Sequence, residues 1–149
     1  MRVLALALLL PLGCLEVRAS ILPQRAIAIC ELQAKADQAL PQERCFLYAE
    51  LVSRMTDIVG LQFGTGDPVA GEETLKLVQQ YALKLQASIG DDSKKLKLAE
   101  TMLHHTSFRL EGILHEASYE NRSALEMTLK QISNVQTQLT RLLRRAGSS

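Results

Sequence analysis

Residues 27–40, IAICELQAKADQAL, run into residues 41–59, PQERCFLYAELVSRMTDIV, and the reading of this stretch decides the fold. In the second segment Cys45, Tyr48, Val52, Met55 and Val59 recur at three- and four-residue steps, with Leu51 and Ile58 beside them. That spacing lays an apolar stripe along one face of a helix. Pro41 fits the first helical position, where a missing N–H costs nothing. Ile29, Leu32, Ala36 and Leu40 keep a similar rhythm in the first segment, and Cys30 lies beside their stripe. The pair therefore reads as two amphipathic helices broken at Leu40-Pro41.

The two thiols test that break. In one unbroken helix Cys30 and Cys45 would stand about 22 Å apart. A disulfide holds its Cα atoms roughly 4.4–6.8 Å apart. A Cys30–Cys45 bond is thus expected only if the chain turns back at Leu40-Pro41, and it needs some tilt, because Cys30 lies further from the turn than Cys45. Two buried free thiols are the alternative.

The compartment argument favours the bond. Arg2 precedes an apolar run from Val3 to Leu10, followed by Pro11-Leu12-Gly13 and Val17-Arg18-Ala19. A basic start, a short apolar core and small residues at the end make a secretory signal. The run falls short of the roughly 20 apolar residues that span a bilayer. Cleavage after Ala19 is expected, giving a secreted or periplasmic chain from Ser20. Lipid attachment at Cys14 is the rival. Cleavage removes Cys14, leaving an even pair in an exported chain, the pattern of one disulfide.

Charge and composition exclude several function classes. Removing residues 1–19 takes away Arg2, Arg18 and Glu16, which leaves 15 basic and 15 acidic residues. A neutral surface gives no electrostatic reason to expect nucleic acid. Trp is absent and only 4% of residues are aromatic, which disfavours sugar- and base-stacking platforms.

Downstream, Gly60 to Gly71 interrupts the periodicity, and Gly64-Thr65-Gly66-Asp67-Pro68 reads as a connector in which Asp67 caps a helix opened by Pro68. Gly64-x-Gly66 lacks the strand and the spacing of a phosphate loop. A third helix is expected from about Glu72 to Ile89 on Leu75, Val78, Ala82, Leu85 and Ile89, ending at Gly90. Asp91, Asp92 and Ser93 then offer caps. Leu96, Ala99, Leu103, Thr106, Leu110, Ile113 and Ala117 form a fourth stripe in a heptad pattern. Leu125, Leu129, Ile132, Val135, Leu139 and Leu142 form a fifth. The row through Leu110 and Ala117 resumes one residue late at Leu125, a turn of about 100° that favours a break or bend near Ser118–Asn121, while the lack of proline or glycine there leaves one long helix over residues 94–145 as the alternative. Arg141, Arg144 and Arg145 suit a helix end, and residues 146–149 read as a frayed tail. The expected fold is all-α: an antiparallel helical bundle of four or five helices over residues 20–145, opened by a disulfide-linked hairpin.

One constellation could carry chemistry. Glu100, His104, Glu111 and His115 fall at about 0°, 40°, 20° and 60° around a straight helix, and imidazole with carboxylate suits a divalent transition metal. The stripe lies about 120° from the apolar face, on a flank. Its four-residue spacing is that of ordinary surface pairs, which is the favoured reading over a metal site. His105 points elsewhere, into solvent. No haem-attachment, thioredoxin-like or Gly-x-Ser-x-Gly motif is present, and no cofactor is called for. Met55, Met102 and Met127 read as core filler. Asn121-Arg122-Ser123 fits a glycosylation acceptor in a eukaryotic source.

The segments from Cys30 to Ala36 and from Pro41 to Leu51 resemble exported bacterial proteins of uncharacterised function, in which a signal peptide precedes a two-cysteine helical hairpin and a bundle. The resemblance implies that layout and carries no activity, ligand or catalytic residue. The expected function is therefore non-catalytic: an exported helical protein acting on a protein or envelope partner. Broad stripes on the second and last helices raise self-association as homo-oligomer. A metal-binding bundle and a secreted receptor ligand are the alternatives.

Overall fold

A computed structural model describes residues 23–148, and they form five helices with no strand among them: α1 (Pro23–Gln38), α2 (Pro41–Gly64), α3 (Pro68–Ala87), α4 (Ser93–Glu116) and α5 (Tyr119–Gly147). The expected leader, the cleavage point after Ala19 and Cys14 lie outside these residues. No described helix is long and apolar enough to cross a membrane.

The helix boundaries follow local chemistry. Pro41 and Pro68 open α2 and α3. The Asp67 carboxylate accepts from the Ala70 N–H at 3.1 Å, and Asp92 accepts from the N–H groups of Lys94 and Lys95 at 3.0 and 3.1 Å. Both satisfy donors that a helix start otherwise leaves unpaired. Between α4 and α5 the chain turns at Ala117 and Ser118, whose ψ values of 144° and 156° are extended. The break inferred from the one-residue slip of the apolar row is therefore present, without proline or glycine.

α2 is the hub. It packs against α1, α3 and α4, while α5 closes the far side by packing on α3 and α4. Cys45, Tyr48, Leu51, Val52, Met55, Ile58 and Val59 are all buried, as their spacing requires, and Leu75, Val78, Leu85, Leu103, Leu110, Leu125, Ile132 and Leu139 meet them or one another in one core. Near the start of α2, Tyr48 faces Tyr81 near the end of α3, with ring centroids 6.1 Å apart. α4 meets α2 where Arg109 bonds Asp57 and where Ile113 lies over Gly60. α5 meets α4 where Ser107 bonds Gln136, and α3 where the Gln79 amide donates to Thr128 at 2.8 Å.

The break at residues 60–71 is far shorter than the glycines suggest. α2 continues to Gly64, α3 starts at Pro68, and only Gly66 takes a positive φ, 79°. Gly60 and Gly71 are helical. A Cβ on Gly60 would stand 3.3 Å from the Ile113 side chain, and one on Gly71 would stand 2.9 Å from the Phe63 ring. Both glycines let neighbouring groups approach closely. α5 runs to Gly147, two residues past Arg145, where the bundle was expected to end. Two apolar assignments change: Leu40 is exposed at the turn, and Met127 is on the surface instead of filling the core.

The Cys30–Cys45 bond is not formed. Cys45 is a free thiol, 2% exposed, while Cys30 is engaged, though not with Cys45. The register explains this. Asp37 of α1 accepts from Tyr48, and Arg25, Ala28 and Ile29 face Arg54, Asp57 and Ile58 across a shared cavity. Cys30 then falls level with about Met55, roughly 15 Å of helix beyond Cys45. Cys45 also lies about five turns before Phe63 and so on the same side of α2, the side that packs on Gly71 of α3. The break at Leu40-Pro41 is real, but it sets the two cysteines at different heights along α2. Burial pushes the Cys45 thiol up to about 11. In native protein at about pH 8 it should resist alkylation, and it should react fully in denaturant, as peptide mass mapping would read.

Gly112 sits about one turn before the end of α4 on its exposed face, and a Cβ there would meet nothing within 4 Å. Gly112→Ala should therefore raise the unfolding free energy by about 0.5–1 kcal/mol, through helix propensity and a less free unfolded chain. Urea denaturation checks this, and an unchanged midpoint would contradict it.

Candidate functional site

Three features carry polar chemistry or exposed apolar surface. The first is the Glu/His stripe of α4. Its members do not assemble. Glu100 is half-buried, and both Glu100 and His104 face Gln136 of α5, whose amide lies 3.5 Å from Glu100 Oε1 and 3.3 Å from His104 Nδ1. Glu111 and His115 are exposed further along the helix, and His105 is exposed with its ring edge-on to His104 at 6.0 Å. Among the described residues no three His, Cys, Asp or Glu side chains are placed to hold a metal ion. α4 and α5 use this flank for an interhelical hydrogen-bond network.

The second feature is the corner where α1, α2 and the end of α3 meet. The Tyr48 hydroxyl donates to Asp37 at 2.8 Å, and Lys84 Nζ donates to the same carboxylate oxygen at 3.2 Å. The Lys84 ammonium also lies over both tyrosine rings, 5.8 Å from the Tyr48 centroid and 5.1 Å from that of Tyr81. A cation over a ring face is attracted by the ring quadrupole. Burial, followed by the hydrogen bond and charge of Asp37, pushes the Tyr48 phenol up to about 12. Burial and the Asp37 charge raise Tyr81 to about 12 as well. Both phenols thus stay neutral at ordinary pH, and Tyr48 ties α1 to α2 through its bond to Asp37. Beside them Arg44 Nε donates to the Ala39 carbonyl at 2.8 Å and fixes the turn between α1 and α2.

The same corner opens into a cleft of about 610 Å³ between the start of α2 and the α3–α4 connection, lined by Arg44, Tyr48, Lys84, Ile89, Asp91 and Asp92 among others. Sequence reasoning missed this grouping. Tyr48 reads as a core residue, Lys84 as a helix-end charge and Asp91 as a cap. Only the three-residue step from Tyr81 to Lys84 hints that they share a face.

The third feature is apolar surface. Phe108 on α4 is 74% exposed and Tyr119 at the start of α5 is 91% exposed, with Val69 and Leu83 of α3 and Met127 of α5 also largely open to solvent. The broad stripe of α2, by contrast, is buried inside the bundle by α1, α3 and α4. No family model, curated protein or solved structure matches the chain.

Proposed function

We propose that this chain is an exported, non-catalytic helical protein that acts through its surface on a protein or envelope partner. The observation that carries the reading is the large apolar side chain of Phe108, 74% exposed in the middle of an otherwise well-formed helix. A single exposed aromatic is common on protein surfaces, but aromatic side chains are also the preferred anchors of protein interfaces. The α4 face that bears Phe108 is the face its neighbours leave free. The contacts named above are read as two antiparallel hairpins, α2/α3 and α4/α5, laid side by side with α1 strapped to the outside of α2. Such a bundle presents rigid helix faces, which suits recognition by surface. The amino-terminal pattern of Arg2, the apolar run and Ala19 supports export, and the likeness to exported two-cysteine bundles points the same way.

The test is expression of the full chain with its own leader, followed by fractionation and amino-terminal sequencing. Exported material beginning at Ser20 is expected. Co-sedimentation of that material with envelope fractions should fall for Phe108→Ser while thermal unfolding stays unchanged. Cytosolic material retaining residues 1–19, or equal sedimentation of both forms, would overturn the proposal.

A further inference from the structure

The cleft at the α1–α2–α3 corner has an arrangement that the surface reading does not use. Its walls carry opposite charges that do not pair. On one wall Arg44 spends only Nε, on the Ala39 carbonyl, so both terminal guanidinium nitrogens are unbonded among the described residues. On the other wall the Asp91 carboxylate makes no hydrogen bond or ion pair there, because the ion pairs join Arg54 to Glu50, Lys84 to Asp37 and Arg109 to Asp57. Asp92 spends one oxygen on the start of α4 and keeps the other. Between the walls lie the buried Tyr48 and the half-buried Ile89.

The floor is fixed in place. Asp37 holds the Tyr48 hydroxyl, and Lys84 is held over both tyrosine rings by the same carboxylate. The cation nearest the floor is therefore occupied, and the free positive group is the Arg44 fork. A guanidinium fork matches a carboxylate in two parallel hydrogen bonds, and a carboxylate matches an ammonium. A volume of about 610 Å³ falls within the size range of small-molecule sites.

The geometry points to a binding site for a small zwitterion, an α-amino acid with an apolar side chain, held in the cleft with its carboxylate on Arg44 and its ammonium on Asp91. The apolar side chain lies against the half-buried Ile89. The free oxygen of Asp92 gives the ammonium a second acceptor. The site lies at a different corner from Phe108, so it stands or falls independently of the surface reading.

L-leucine is the probe, followed by calorimetry and by amide chemical shifts in the 15N-labelled protein. N-acetyl-leucine lacks the ammonium and leucinamide lacks the carboxylate. Saturable binding of L-leucine is expected, with shifts confined to residues 41–48 and 84–92. Each blocked compound should bind about tenfold more weakly, the loss expected for one charge-assisted bond. Asp91→Asn should produce the same loss for L-leucine without altering the fold, since Asp91 is exposed and holds nothing. Arg44→Gln should do so too, with a thermal melt to confirm that the turn at Ala39 survives. Absence of saturation at about 20 mM ligand, a range far weaker than useful recognition, would overturn the assignment. So would equal binding of the blocked compounds, shifts mapping elsewhere, or full affinity in Asp91→Asn.

Discussion

Leu110→Ala should lower the unfolding free energy by about 2–5 kcal/mol, whereas Phe108→Ala, two positions earlier, should change it by less than about 0.5 kcal/mol. Leu110 is fully buried on α4, among residues that α2 and α5 also contribute to the core. Removing its branched end sacrifices transfer free energy and leaves a void that packed helices close only in part. Phe108 is the larger side chain and yet projects into water, so its loss removes little burial. Urea denaturation of both variants measures the contrast as a shift in midpoint at constant slope. Similar midpoints would place α4 in a different rotation from the one described.

Alkali should have the second large effect. Cys45 is raised to about 11, and Tyr48 and Tyr81 to about 12, chiefly by burial. Each folded-state group keeps its proton longer than the unfolded chain does, whose thiol and phenols titrate near 9 and 10. The folded state therefore binds more protons in this window, and stability falls as pH rises. The contribution is fully present below about pH 9 and is lost progressively towards about pH 12. The combined loss is large enough to read in a denaturation curve, and solvent screening at the partly open phenols reduces it. Urea midpoints taken at rising pH should drop across that window, with tyrosinate absorbance appearing together with unfolding. Tyr48→Phe should flatten the drop, because one of the three linked protons is gone. Tyrosinate absorbance appearing in a chain that stays folded would contradict the linkage.

What could be read in the sequence was whatever depends on periodicity along a helix. The stripes of α2, α3, α4 and α5 went into the core almost residue for residue, and a one-residue slip pointed to a break near Ser118–Asn121, next to the turn at Ala117-Ser118. What could not be read depends on how helices sit against one another. Gly60 and Gly71 looked like breaks because glycine weakens an isolated helix. Their role appears only when Ile113 and Phe63 arrive from elsewhere in the chain. Cys30 and Cys45 looked joinable because a turn lies between them, but joining depends on register and rotation, which a turn alone leaves open. The cleft follows the same logic, since Arg44 and Asp91 come from distant segments and share no pattern.

The position of α2 as hub has a consequence for synthesis. Its partners on one side, α1 and α3, lie next to it in the chain, but α4 ends only at Glu116. A ribosome making about 5–20 residues per second completes α2 roughly 3–10 s before α4 is whole. During that interval the nascent polypeptide carries a three-helix fragment with one greasy flank and no local segment to cover it. Until α4 emerges to cover it, that flank is a surface on which neighbouring nascent chains can aggregate.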